Sequence, residues 1–295
     1  MTGHIGLIGA GAMGGAIGAR LAGVGAPLKV FDLDKEKVAA LVSKGAIAAM
    51  SAAEAARGAR AVILSLNAPR IVRAAVFGPE GVAAGAERGL LIIDMSSIDP
   101  AETRALAVEA AERGLRWVDS PLSGGAPKAE IGQLTLMQGG AKADVREAQD
   151  ILAHVASNQT HMGDVGTGQT TKIVNQVLCG LGFMAVAEAT ALAEAAGVKV
   201  DRIPSALKGG RADSALLQEY MPRFAARDYR RTGRIDNMVK DLDGARELAR
   251  QTQTSMPLTA LAAEIHRLLT AAGLGGEDQA ALMEFFSGPS KEKFE

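Results

Sequence analysis

Cysteine is almost missing from this 295-residue chain: Cys179 stands alone, so no disulfide can form within it and a reducing, cytoplasmic setting is expected. Aromatic side chains make up only 3%, against 35 glycines and abundant alanine, which favours close helix–strand packing over large aromatic anchors. Neither sign of charge dominates, with a net charge of −1, so nothing points to nucleic acid or an anionic membrane as partner. No targeting segment is visible, because "HIGLIGAGAMGGAIGARLAG" has no basic region before it and is interrupted by Arg20. The uncharged run over residues 173–187 is too short to span a bilayer, carries Asn175 and Gln176, and reads as a buried helix. Histidine, cysteine and carboxylates nowhere cluster at ligand spacing, which argues against a metal centre. Ser96, Ser97 and Ser123 lack a visible base, so nucleophilic catalysis is not expected.

What is present falls into two halves. Up to about residue 163, apolar runs ("HIGLIG", "LKVFD", "AVILSL", "LLIIDM", "RWVDS", "LTLMQGG") alternate with Ala-rich helical stretches. Several of these runs lack polar alternation, as parallel strands covered on both faces do, and the strand–helix alternation implies a doubly wound α/β domain. The helix in "DPAETRALAVEAAERG" opens on Asp99 as cap with Pro100 behind it and stops at Gly114. Beyond Gly168 only helical periodicity remains, at 169–196, 201–209, 213–226, 235–254, 257–272 and 277–287. The expected organisation is an α/β domain over 1–163 and an all-α domain over 164–295.

"GLIGAGAMGGAIGARL" holds Gly9-Ala10-Gly11-Ala12-Met13-Gly14, a GxGxxG that follows an apolar strand and opens a helix. The first glycine permits a tight turn, the second lets backbone approach a pyrophosphate, and the third allows close helix–strand packing. In a glycine-rich chain the motif alone is weak; its context, with Asp32 ending the next strand, makes it a dinucleotide site. Asp32 would accept hydrogen bonds from the adenosine ribose and repel a 2′-phosphate, unless it merely caps the helix starting near Lys35. Leu33 beside it offers no guanidinium for that phosphate, and Lys35 and Lys37 contribute weakly. NAD is therefore favoured, with NADP possible.

A second glycine-rich turn, "DSPLSGGAPKAEIGQ", places Ser123, Gly124 and Gly125 after a strand, where consecutive amides can form a nest for a carboxylate. Ser-Gly-Gly by itself is ordinary turn chemistry. Together, however, "GLIGAGAMG", "DSPLSGG", "GTGQTTKIVNQ" and "KDLDGARELA" occur in order and cover nearly the whole chain. In these blocks the sequence resembles the β-hydroxyacid dehydrogenase family, which includes 3-hydroxyisobutyrate dehydrogenase and tartronate semialdehyde reductase. "RIDNMVKDL", "LKGGRADSALL" and Asn175-Gln176 are most similar to the tartronate semialdehyde reductase branch.

The resemblance implies an N-terminal Rossmann domain with a doubly wound parallel sheet, an all-α C-terminal domain for substrate and dimerisation, and a homodimer or homotetramer. It further implies that Ser123, Gly124 and Gly125 bind the carboxylate of a small carboxylic acid substrate, that Lys172 is the acid/base, and that Asn175 and Gln176 orient the substrate. Leu66, Asn67 and Ser97 would contact the cofactor, and Lys240 would close over its nicotinamide end. Three departures bear on the substrate: Gly233 stands where many relatives have an aromatic, "SPLSGG" replaces "APVSGG", and "SLNAPR" differs from the common version of that loop.

Lys172 also has a chemical reading of its own. Reduction of a carbonyl by a nicotinamide hydride builds negative charge on oxygen, which needs a proton donor in reach. An ammonium at the lip of a cleft supplies it, and partial burial shifts such a group toward taking the proton back. Asn175 and Gln176, three and four residues on, share its helical face. The bland alternative is a lysine with its head in water. His4, His154, His161 and His266, the alternative donors, have no acidic partner nearby in sequence and read as structural or solvent-facing. A dinucleotide sensor without catalysis, or an imine reductase on a similar scaffold, would each be expected to have lost the lysine or the carboxylate nest.

Overall fold

The computed structural model describes residues 3–287. The chain divides into two compact units, the first ending at Lys172 and the second starting at Ile173. In the first unit the strands are β1 (His4–Ile8), β2 (Leu28–Phe31), β3 (Ile47–Ala48), β4 (Ala59–Leu64), β5 (Leu91–Asp94), β6 (Arg116–Asp119), β7 (Leu122–Ser123), β8 (Leu134–Gly139) and β9 (Ala156–Gly163). Their order is β3-β2-β1-β4-β5-β6-β8-β7, with β9 on β8. β1 through β6 are parallel and doubly wound, and β1 neighbours both β2 and β4, which puts the reversal of strand order directly beside the Gly9 turn.

Alternation within the strands sorts the core into two layers. Leu7, Val30, Ile63, Ile93 and Val118 face the helix Ala12–Gly23 with its Ile17 and Leu21, while Ile8, Val62, Leu64, Ile92 and Trp117 face Val72, Val76 and Leu106. β1, β2, β4, β5 and β6 are thus apolar on both faces, which is why their sequences show little polar alternation. Asp99 accepts from the amides of Ala101 and Glu102 and caps the helix Pro100–Glu112 as expected.

The parallel sheet carries an antiparallel portion. β8 runs antiparallel to both β6 and β7, because the chain between them holds only a six-residue helix, Gly125–Glu130, too short for a parallel crossover. β9, "ASNQTHMG", was not expected: it is polar, mostly exposed, and pairs in parallel with β8.

In the second unit the helices Ala215–Ala226, Ile235–Gln251 and Pro257–Leu269 fall close to the expected spans. Phe183 meets Tyr220 edge-on at 4.6 Å, and Phe224, Leu242 and Leu282 are fully buried around them. Asp278, fully buried, pairs with Arg223 at 3.1 Å and accepts from the Gly233 amide at 3.0 Å.

One expectation is corrected here. The helix containing residues 173–187 runs from Thr167 to Ala195, 29 residues, and by length and composition alone it could cross a membrane. Yet only 33% of its most apolar window is buried. Gly180 packs one side against Met238 and Leu242, while Val174 and Leu178 on another are 53% and 67% exposed. The uncharged run is set by composition; its exposure depends on which side the neighbouring helices cover.

Candidate active site

The three glycines of the first turn divide their work as their positions require. Gly9 has φ +93°, and a side chain there would collide with the carbonyl of Ser65. A Cβ on Gly14 would collide with the carbonyl of Gly9, so only glycine lets the helix start this close to β1. Gly11 has nothing within 4 Å of where its Cβ would sit. The tight turn, the close helix and the open approach are therefore all present, with Ala12 and Met13 opening the helix behind them.

Gly9, Gly11, Asp32, Leu66 and Asn67 border one cavity of about 500 Å³ in the first unit, which Ile71, Pro79 and Glu80 also line. Asp32 does not cap the following helix; Asp34 does, accepting from the amides of Glu36 and Lys37. Asp32 instead accepts from the Ala10 amide at 2.6 Å and the Asp34 amide at 2.8 Å, which fixes its carboxylate against the glycine turn. Leu33 is 90% exposed, and Lys37, which also lines this cavity, pairs with Asp34 at 3.0 Å. These residues fit the adenosine and pyrophosphate of a dinucleotide.

The strand-end loops after β4 and β5 are tied together. The Leu66 amide donates to Ser96 Oγ at 3.1 Å, which leaves the neighbouring Asn67 and Ser97 exposed at the loop surfaces. The Ser123-Gly124-Gly125 turn follows β6 and β7, with Gly124 at φ +120° and Gly125 at φ +67°. Both glycines are exposed and Ser123 is half-buried. A side chain on Gly124 would press on Lys128 Cβ at 2.8 Å, so the turn needs glycine for space as well as for φ.

Lys172 is half-buried in the first turns of the helix Thr167–Ala195. Asn175 Nδ2 donates to Gln176 Oε1 at 2.9 Å, and Gln176 Nε2 donates to the Asp241 carboxylate. A carboxylate only accepts, so Asp241 fixes which end of the Gln176 amide faces Asn175, and thereby fixes Asn175 as well. The Gln176 carboxamide is thus engaged at both ends, a role the sequence did not show. Lys240 Nζ lies 3.4 Å from Asp241 Oδ1, and its side chain is 61% exposed.

Two buried aspartates were not singled out from the sequence. Asp94 and Asp119 sit side by side at the ends of β5 and β6. Burial pushes the Asp94 carboxyl up to about 7, and its Oδ2 has no hydrogen-bond partner. Burial also pushes Asp119 upward, against the amides of Gly166 and Gln169 that favour its ionised form. Of the histidines, His4 bonds the Ala55 carbonyl, His161 bonds the carbonyls of Gly140 and Gly163, and buried His266 uses both nitrogens on Ala262 and Gln279. Burial holds His266 below its ordinary pKa.

A doubly wound sheet with a phosphate-cradling turn at its reversal point defines a dinucleotide-binding protein. Comparison with known proteins narrows the class. Residues 4–163 match the family model described as the NAD binding domain of 6-phosphogluconate dehydrogenase, and residues 166–286 match that of the NAD-binding domain of NADP-dependent 3-hydroxyisobutyrate dehydrogenase. The chain is 34% identical to 2-(hydroxymethyl)glutarate dehydrogenase of Eubacterium barkeri, over 95% of this chain and 93% of the relative. It is 32% identical to L-threonate dehydrogenase of Cupriavidus necator, over 98% and 97%. Its fold matches Mycobacterium tuberculosis 3-hydroxyisobutyrate dehydrogenase, solved with L-serine, at a TM-score of 0.87 and 28% identity, covering 97% of this chain and all of that one.

The chain belongs to the β-hydroxyacid dehydrogenase family. It is an NAD(P)-dependent dehydrogenase or reductase acting on CH–OH groups.

Proposed function

We propose that this enzyme interconverts a small 3-hydroxy acid with its semialdehyde or 3-oxo acid, with NAD as preferred cofactor and tartronate semialdehyde (2-hydroxy-3-oxopropionate) and glycerate as the leading pair. The observation that carries the reading is a lysine one helical turn before a fixed Asn175, in a chain that also holds a left-handed Gly124-Gly125 turn. Bound nicotinamide supplies or accepts the hydride. The amides of the Ser123-Gly124-Gly125 turn hold the substrate carboxylate, Lys172 gives its proton to the developing alkoxide, and Asn175, held by Gln176, orients the reacting oxygen. Leu66, Asn67 and Ser97 line the cofactor, and Lys240 serves its nicotinamide end.

Relatives named for 2-(hydroxymethyl)glutarate and L-threonate support a carboxylated hydroxy substrate, and 3-hydroxyisobutyrate and L-threonate remain the alternative acids. The domains are drawn at 1–163 for cofactor and 164–295 for substrate. The apolar Val174 and Leu178 on the long helix support a homodimer or homotetramer, and the lone cysteine a cytoplasmic setting.

The test is a panel of 3-oxo acids, matching aldehydes without the carboxylate, and cyclic imines. Tartronate semialdehyde and its relatives are expected to react, the uncarboxylated aldehydes to lose kcat/KM by about 10²-fold or more because anchoring positions the carbonyl, and the imines to fail. Gly124→Val is expected to imitate the loss on acids while changing little on plain aldehydes. Equal rates with and without the carboxylate sink the acid reading, and turnover of imines favours an imine reductase.

Cofactor choice has its own expected result. Asp32→Ser with Leu33→Arg should move preference toward NADP, since it removes a repelling carboxylate and adds a phosphate fork. Ratios of kcat/KM for NADH and NADPH check it; a wild type that already uses NADPH far better than NADH defeats this reading of the rim.

A further inference from the structure

The first turn of an α-helix leaves amide groups with no partner inside the helix, and a buried helix start needs acceptors from elsewhere. For the helix that carries Lys172, the acceptor comes from 47 residues upstream. Asp119 Oδ1 receives the Gly166 amide at 2.7 Å, and Asp119 Oδ2 receives the Gln169 amide at 2.8 Å. Asp119 is fully buried at the end of β6, so these bonds are shielded from water.

The surroundings are built to bring that carboxylate close. A Cβ on Gly168 would sit 2.7 Å from Asp119 Oδ2, and one on Gly139 of β8 would sit 2.6 Å from Oδ1. Glycine at both positions is what lets strand ends, carboxylate and helix start share one space. Gln169, 1% exposed, adds a second tie: its Nε2 donates to the Ser96 carbonyl at 2.7 Å and its Oε1 receives the Ile98 amide at 3.3 Å. Those two residues flank Ser97. The start of the lysine helix is therefore pinned both to β6 and to the loop after β5.

Asp94, the neighbour on β5, is less well supplied with donors. Asp94 Oδ2 has no donor, whereas both oxygens of Asp119 receive amides. Burial raises both carboxyls, and the amides on Asp119 favour its ionised form.

We infer that Asp119 and Gln169 are positioning residues for the acid/base lysine: they lock the Gly166–Gln169 turn, and with it the helix that presents Lys172 three residues further on. The inference rests on the reading of Lys172 as the acid/base and goes beyond it by naming what sets its position. Asp119→Asn keeps the shape but puts an NH2 group opposite one of the two amides, so one bond of the pair is lost and a donor faces a donor. Gln169→Leu removes only the carboxamide ties.

The experiment is a double-mutant cycle in the full-length enzyme, assayed with whichever acid of the panel above the wild type turns over fastest. Asp119→Asn is expected to lower kcat by about 10–100-fold while KM and NADH binding, read by fluorescence, change less than about threefold. In a Lys172→Ala background the same change should lower the residual turnover less than about twofold, because the group it positions is gone. Gln169→Leu carries the same cycle and decides the matter if Asp119→Asn does not fold. A loss of equal size in both backgrounds, or no loss of kcat, overturns the inference. The Lys172→Ala arm alone tests the lysine: wild-type turnover there defeats the acid/base reading and this inference with it, whereas a large loss there with additive partners defeats only the positioning role.

Discussion

Lys172→Ala is expected to lower turnover by about 10²–10⁴-fold, the usual worth of a positioned general acid/base. Cofactor binding should be nearly unchanged, because the glycine turn, Asp32 and the cavity beside them are built from β1, β2, β4 and the loops behind them. The loss should appear in kcat and kcat/KM together, as for an interaction made only in the transition state. Lys172→Arg should not restore it. A guanidinium stays protonated across the working range and cannot take the proton back in the oxidative direction. Rates of both directions, measured across the full pH range for the wild type and the two variants, check this. Equal profiles for wild type and alanine variant exclude the lysine from the chemistry.

A second large effect is expected from Asp94, and it concerns stability. Its carboxyl is raised from an ordinary 3.8 to about 7 by complete burial. Between those values the folded chain keeps a proton that the unfolded chain has lost, so the unfolded state binds fewer protons and stability falls as pH rises. The contribution is fully present below pH 4 and is gone above about 7. The difference between 3.8 and about 7 corresponds to about 4 kcal/mol across that window. Asp94→Asn, neutral at every pH, should remove this slope. Urea unfolding at pH 4.5, 6 and 7.5 would show the variant gaining on the wild type with each step. A difference that does not change with pH means that Asp94 is ionised in the folded protein throughout.

How much of this was legible beforehand depends on how local each feature is. The glycine turn, the Asp99 cap and the second-unit helices were visible because each rests on a few adjacent residues with known backbone demands. β9 was not, since "ASNQTHMG" has no apolar face of its own and becomes a strand only because β8 offers it a free edge. The same limit applied to the antiparallel turn of β8, which follows from the short chain segment between β6 and β8 and not from the strand's composition.

Within the candidate site, the types of residue came from the sequence and their engagements from the fold. Asp32 reads as a ribose acceptor or a helix cap until the structure shows Asp34 doing the capping and Asp32 turned to Ala10. Gln176 reads as a partner for substrate, and the fold adds an acceptor for its nitrogen in Asp241, 65 residues away. By itself the sequence determined the fold class, the dinucleotide turn, the lysine with its carboxamides and the family, because these depend on spacing along the chain. Only the tertiary structure decided that Asp119 receives the amides at the start of the Lys172 helix and that burial raises the Asp94 carboxyl beside it. Both depend on strand ends meeting in a space closed to water, where an amide or a charge must find its partner across the fold.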